Sequence, residues 1–244
     1  MNLLIDIGNT RTKWRCIDGG VRNSAGVFNN NVLTEEALVG LIKKYAVNAI
    51  VLSSVGKSEV ENKFFVVAGI LGIECISIKS AKEMVGLRFA YTDVEALGVD
   101  RCLAMIGAYN NKGVLVIDAG SAITADYLSA CGEHLGGYIL PGFNMLMLSL
   151  KAGTSKVLVD AELASSDPGN STKMCVNNGF TLLIQSLLDG LVVKAEELGI
   201  NEVVITGGDA DLFAHANPHV ECTAISNLVL DGMEKLLNNN NLLG

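Results

Sequence analysis

The sequence predicts an α/β protein made of two copies of one supersecondary unit, folded as two lobes that face each other across a cleft. Three observations predict it. Strand-like and helix-like runs alternate along nearly all of the 244 residues. The opening run Leu3-Leu4-Ile5-Asp6-Ile7-Gly8-Asn9-Thr10 recurs as Leu115-Val116-Ile117-Asp118-Ala119-Gly120-Ser121-Ala122, each matched pair 112 residues apart. Each copy is an apolar strand with an Asp at its end, a glycine turn and a small polar residue, and two further strands follow. A chain that is 50% hydrophobic and 18% charged can fill both cores.

In chain order, residues 2–5 are an apolar strand. Residues 12–17 alternate, with Trp14 and Cys16 on one face, and Asp18-Gly19-Gly20 predicts a hairpin turn into a third strand at 21–28. Thr34 reads as the N-cap of a helix with apolar positions at 37, 38, 41, 42 and 45 and with Glu35 and Glu36 in its first turn. A strand at 49–52, a helix at 58–71, a strand at 73–78 and a helix at 101–109 complete the first copy. The second copy adds strands at 123–128 and 135–140, helices at 142–151 and 177–198, a strand at 203–206, a short helix at 209–216 and a last helix at 226–237. Residues 238–244 read as a frayed tail. The domains are predicted as 1–111 and 112–244.

Composition excludes several function classes. The net charge of −8 leaves no basic surplus for a phosphate backbone. Asp6 interrupts the N-terminal apolar run, no basic segment precedes it, and no uncharged apolar stretch reaches 18 residues, so neither a secretory signal nor a membrane span is expected. The six cysteines form no CxxC pair and are read as buried thiols in a reducing cytoplasm.

The paired turns point to phosphate chemistry. A glycine turn exposes backbone N–H groups to a phosphate oxygen, and Thr10, Ser121 and Thr124 add hydroxyls. Lys13 adds a positive charge, or is simply a solvated strand residue. A carboxylate beside phosphate needs a cation between them, so Asp6 and Asp118 suit Mg²⁺. Gly207-Gly208-Asp209-Ala210 is expected at the nucleotide's other end. No GxxxxGK[ST] and no GxGxxG occur, which excludes P-loop and dinucleotide folds. His215 and His219 have zinc-like spacing, but Pro218 breaks the helix and no third ligand is near.

Asp6-Ile7-Gly8-Asn9-Thr10, Gly98-Val99-Asp100-Arg101, Asp118 to Asp126, Gly136-Gly137-Tyr138-Ile139-Leu140-Pro141-Gly142 and Thr206 to Ala210 together resemble the type III pantothenate kinases in order and spacing. These belong to the superfamily of acetate and sugar kinases, heat-shock chaperone ATPases and actin. The resemblance implies the actin-like ATPase fold, with two ribonuclease-H-like lobes. It implies ATP-dependent phosphorylation of the 4′-hydroxyl of pantothenate, the first committed step to coenzyme A, by a homodimer using Mg²⁺ and a monovalent cation (K⁺ or NH₄⁺). It assigns Asp6, Ile7, Gly8, Asn9, Thr10, Arg11, Thr12 and Lys13 to the ATP phosphate loop, with Ser121 also at ATP. It assigns Asp118 to the monovalent cation and Asp6 to Mg²⁺. It places Tyr91, Gly98, Val99, Asp100, Arg101 and Thr172 in the pantothenate pocket, with Asp100 as general base. The sequence departs from the family at Val94, Cys102 and Ser121, which stand where Pro, Trp and Thr are usual.

The residues themselves allow two readings of Asp100: a cap for the helix starting at Arg101, or an acceptor for the substrate's hydroxyl proton. Arg101 suits a carboxylate. Two other functions fit the same motifs: a non-catalytic regulatory protein of this fold, and a kinase of another small hydroxy acid.

Overall fold

The computed structural model describes residues 1–154 and 165–240. The chain forms two compact units, Met1–Ala108 together with Asn227–Gly244, and Tyr109–Ser226.

The first unit opens with β1 (Asn2–Ile7), β2 (Arg11–Asp18) and β3 (Val21–Asn29), followed by α1 (Glu35–Lys44), β4 (Ala49–Ser54), α2 (Ser58–Leu71) and β5 (Glu74–Ser77). A small hairpin, β6 (Glu83–Met84) and β7 (Leu87–Arg88), and a 3₁₀ turn (Val94–Ala96) lead into α3 (Val99–Ala108). The second unit holds β8 (Val114–Ala119), β9 (Ala122–Leu128), β10 (His134–Pro141), α4 (Phe143–Gly153), α5 (Thr172–Glu197), β11 (Glu202–Thr206), α6 (Ala210–Ala216) and β12 (Thr223–Ala224). The last helix, α7, spans Leu228–Asn240.

The duplication is exact at the level of topology. One sheet has the order β3-β2-β1-β4-β5 and the other β10-β9-β8-β11-β12. In each, the first three strands are antiparallel and the last two join in parallel. Gly19 and Gly20, both at positive φ, make the β2–β3 turn. Thr34 caps α1 by accepting from the Ala37 N–H at 3.2 Å. Two elements had no periodicity to reveal them: β12 and the β6–β7 hairpin are two residues per strand.

Strand alternation sorts the first sheet. Leu3, Ile5 and Ile7 of β1, Trp14 and Cys16 of β2, and Ile50 and Leu52 of β4 pack under α1 and α2. In the second unit Leu115, Ile117, Ile123 and Tyr127 pack against Ile184, Leu188 and Leu191 of α5 and Phe213 of α6. Each such buried side chain contributes about 1.5–3 kcal/mol of hydrophobic stabilisation.

The structure corrects the predicted domain limits. Residues 112–244 do not form one lobe, because α7 packs on α3 in the first unit. Two glycines permit the close approach: a Cβ on Gly107 would collide with the Leu228 carbonyl, and one on Gly232 with the Leu103 carbonyl. Lys235 Nζ donates to the Ile106 and Gly107 carbonyls at 3.1 and 2.9 Å, at the end of α3. On the sheet side Arg15, nearly buried, binds Asp231 and Glu234 at 2.7 and 2.5 Å, and Arg22 binds the same pair. These partners all come from the first three strands, which a linear reading separates from residue 231 by two hundred positions.

Other expectations shift less. Helix α5 begins at Thr172 rather than 177, because Ser171 caps it by accepting from the Met174 N–H. It is long and apolar enough to cross a membrane by length and composition. Yet Ile184, Leu188, Leu191 and Ala195 sit in the second unit's core, and Asn177, Asn178 and Thr181 are buried beside them, which makes it a core helix. Helix α7 continues to Asn240, through the start of the predicted tail, and the rest of that tail lies outside the described residues. None of the cysteines is in a disulfide, and only Cys16 and Cys102 are buried; Cys131 and Cys175 are exposed. Burial pushes the Cys75 thiol up to about 11.

Candidate functional site

The first unit assembles its site at the C-terminal ends of β1 and β4. The turn after β1 closes through the Gly8 N–H, which donates to the Arg11 carbonyl at 3.0 Å. Asp6 is the register partner of Lys13 on β2 and of Ser53 on β4, so Lys13, Asp6 and Ser53 form one row on one face of the sheet. Ile7 and Thr12 face the other way. The Ile7 side chain is fully buried in the core, and only its carbonyl reaches the turn region, where it accepts from the Val55 and Gly56 N–H groups, both at 3.1 Å. The Thr12 hydroxyl donates to Asn30 Oδ1 at 2.7 Å, and Asn30 Nδ2 donates to the Gly8 carbonyl at 2.8 Å. Thr12 therefore buttresses the turn from below. Asn9, Thr10 and Arg11 are exposed at its tip.

Two supports escaped the sequence reading. Asn30 pins the turn from the end of β3, a distance in sequence that no local motif spans. Gly56 lies so near that a Cβ there would stand 2.5 Å from the Gly8 carbonyl. In the second repeat the matching contact comes from Asp209, whose N–H donates to the Ala119 carbonyl as the Gly56 N–H does to that of Ile7.

The start of α3 lies beside the end of β4, with a Cβ at Gly98 falling 3.8 Å from Val55 Cγ1. The Gly98 carbonyl accepts from the Arg101 and Cys102 N–H groups and so opens the helix. Asp100 is inside the first turn, not its cap. Its Oδ1 accepts from the Arg101 N–H at 2.8 Å and folds back over residue 98, 2.5 Å from where a Cβ would sit. Glycine at 98 is what leaves room for that carboxylate. Arg101 is 5% exposed; its Nη1 donates to the Tyr91 hydroxyl at 2.7 Å, and its guanidinium lies 5.5 Å from the Tyr91 ring centre. Tyr91, Gly98, Val99, Asp100 and Arg101 thus come together, although the Val99 side chain is buried. At Val94, where the family pattern has Pro, Asp93 caps the 3₁₀ turn by accepting from the Glu95 N–H at 3.2 Å. Cys102 is fully buried in the core.

The second unit repeats the geometry with other side chains. The Gly120 N–H donates to the Ala122 carbonyl at 3.1 Å. The matching row is Thr124, Asp118 and Thr206. Gly207, at φ +101°, lets the strand end approach so closely that a Cβ would collide with the Ala119 carbonyl and stand 2.5 Å from Asp118 Oδ1. The Gly142 N–H donates to the Ser121 carbonyl at 3.2 Å, and the Asp209 N–H to the Ala119 carbonyl at 2.8 Å. Thr172 opens α5 on an exposed, mostly apolar groove of about 480 Å³ between α4 and α5.

Among the described residues no group of three His, Cys, Asp or Glu could hold a metal ion by itself. Neither Asp6 nor Asp118 belongs to such a group, which fits a hard cation that arrives with phosphate and keeps part of its water shell. Beside Asp6 the Ser53 hydroxyl is fully buried with no hydrogen-bond partner among the described residues. His215 is engaged by its own helix, Nδ1 lying 2.6 Å from the Asp211 carbonyl.

The family model described as type III pantothenate kinase matches residues 2–194. The type III pantothenate kinase of Marinobacter nauticus is 34% identical over 97% of this chain and 98% of its own. That of Ectopseudomonas mendocina is 36% identical over 96% and 97%. Among solved structures, a Baf-family protein of Campylobacter jejuni superposes with a TM-score of 0.65 at 23% identity, over 99% of this chain and 100% of that one. Component A of the (R)-2-hydroxyglutaryl-CoA dehydratase of Acidaminococcus fermentans does so with a TM-score of 0.50 at 14% identity, over 96% and 95%. These structural likenesses show the fold, the α/β architecture of actin-like ATPases. On the extent of the family match and of the sequence identity, the chain belongs to the type III pantothenate kinase family.

Proposed function

We propose that this chain transfers the γ-phosphate of ATP to the 4′-hydroxyl of pantothenate, giving 4′-phosphopantothenate. The observation that carries the reading is the grouping of Asp100, Arg101 and Tyr91 at the head of α3, in the same unit as the Asp6–Lys13 turn. Pantothenate has a carboxylate at one end and a primary hydroxyl at the other. The buried Arg101, held by Tyr91, is pre-oriented for the carboxylate. Asp100 accepts the hydroxyl proton as that oxygen attacks phosphorus. Gly98 leaves space for the Asp100 carboxylate, and the family resemblance assigns Thr172 to pantothenate as well.

The residues of the first turn bind the triphosphate: backbone N–H groups of Gly8, Asn9 and Thr10 and the Lys13 ammonium meet its oxygens, and Arg11 stands at its rim. Ile7 and Thr12 serve by holding the turn's shape. In the second unit, the family resemblance assigns Ser121 to ATP, and the Gly207-Gly208 turn is a further phosphate-type turn. Asp6 holds Mg²⁺ through one carboxylate, and Asp118 holds K⁺ or NH₄⁺; when bound, these cations offset triphosphate charge. Catalysis is mainly positioning and charge stabilisation.

The enzyme works in the cytoplasm as a homodimer. Six thiols without a disulfide support the first. The second is supported by exposed apolar side chains on the two helices that border the groove, Met145 and Leu148 of α4 and Leu182 and Leu183 of α5.

The test is a coupled assay with ATP, MgCl₂ and KCl and a panel of hydroxy acids at equal concentration. Pantothenate should be turned over far ahead of the rest. Preference for another acceptor would overturn the substrate, and no turnover with any acceptor would leave a non-catalytic protein of this fold.

A further inference from the structure

The first turn has a hydroxyl that the mechanism above leaves unused. Ser53 lies on β4 as the parallel register partner of Asp6, so their side chains leave the sheet side by side on one face. Its residue is 0% exposed and its Oγ has no hydrogen-bond partner among the described residues. A buried hydroxyl without a partner is destabilising, and a Ser to Ala change at such a place removes an unmet polar group rather than a bond. Structure alone gives no reason for a hydroxyl there. Proteins keep such unmet groups where a ligand-bound state uses them.

Three groups are near enough to be considered. Lys13 is in the same row but on β2, beyond β1 and therefore two strand spacings away, about 9–10 Å. Asp100 is on α3, whose neighbour Gly98 lies beside Val55, two residues beyond Ser53. Asp6 is the immediate neighbour. A hydroxyl donates readily to a carboxylate, and a carboxylate with one oxygen on a cation has the other available as acceptor.

We propose that Ser53 is a positioning residue: its hydroxyl donates to the Asp6 carboxylate in the Mg·ATP-bound protein, fixing the orientation in which Asp6 meets the divalent cation. The inference rests on the kinase reading above. The second repeat has the same design, with Thr206 beside Asp118 in parallel register.

The experiment uses the full chain with Ser53→Ala and Ser53→Cys, the second keeping side-chain size with a weaker donor. Thermal unfolding is followed without ligand and with ATP across an MgCl₂ titration, and KM is measured for each substrate. Without ligand, Ser53→Ala should melt at or above the wild-type temperature. With ATP, the MgCl₂ concentration giving half the thermal shift should rise 3- to 10-fold, and KM for Mg·ATP should rise with it. KM for pantothenate should stay within twofold, and Ser53→Cys should fall between. A lowered melting temperature in the free Ser53→Ala protein with an unchanged MgCl₂ titration would make the hydroxyl structural and overturn the proposal. So would a change confined to KM for pantothenate, which would assign Ser53 to the acceptor side. If Ser53→Ala does not fold, Ser53→Cys decides by the same MgCl₂ shift. An absent Mg·ATP shift in the wild type overturns the kinase reading itself; a normal wild-type shift that neither variant alters overturns only the role of Ser53.

Discussion

The two repeats are alike in backbone and different in charge. Both end their first strand with Asp, turn through Gly, and place a hydroxyl residue on the neighbouring parallel strand, Ser53 beside Asp6 and Thr206 beside Asp118. On the other side of the Asp the first repeat has Lys13 and the second Thr124. The contrast continues in the helices that follow β5 and β12. Aligned at their first residues, α3 has Asp100 and Arg101 where α7 has Val229 and Leu230, both buried. The acids of α7, Asp231 and Glu234, are spent on Arg15 and Arg22. Duplication thus supplied two equivalent turns. The first has a Lys beside its Asp and a helix that opens with an Asp-Arg pair, while the second has Thr beside its Asp and a helix whose acids pair with Arg15 and Arg22.

This division makes ranked predictions. Asp100→Asn should lower kcat about 10²–10⁴-fold with ATP binding retained, as expected for loss of a general base; a variant keeping more than half the wild-type kcat breaks the assignment of chemistry to α3. Arg101→Met removes a charge-assisted contact of about 1.5–3 kcal/mol, so KM for pantothenate should rise roughly 10- to 150-fold and KM for ATP little. Equal rises in both would show a general defect. In the structural helix the pattern reverses. Gly232→Ala forces α7 off α3 and should cost about 1–3 kcal/mol, read as a lower Tm, with both KM values near wild type in the folded fraction. The smallest effect is expected from Asn30→Ala, which frees the Gly8 carbonyl and the Thr12 hydroxyl; about 1 kcal/mol corresponds to a KM for ATP some fivefold higher. An unchanged KM there would mean that the turn holds its shape without the side chain.

What the sequence made legible follows the range of the interactions. Strand alternation, the Thr34 cap and the glycine turns are local, and they appear in the fold where the residues put them. The acid, glycine and Asp-Arg positions of the site were readable for the same reason, helped by the internal repeat. Asn30 was not, because its partners Gly8 and Thr12 are distant in sequence. Nor was the return of α7 to the first unit, which depends on two glycines 125 residues apart and on ion pairs from β2 and β3 to residues 231 and 234.

The division of labour between the two turns is tested most directly by a crossed titration. Turnover is measured in Tris buffer for wild type, Asp6→Asn and Asp118→Asn, varying MgCl₂ at fixed KCl and then KCl, with NaCl in parallel, at fixed MgCl₂. Wild type should need K⁺ and respond poorly to Na⁺. Asp6→Asn should raise the MgCl₂ requirement and leave the KCl midpoint in place, and Asp118→Asn should do the reverse. Full wild-type activity without K⁺, or two variants that shift the same titration, would contradict the account.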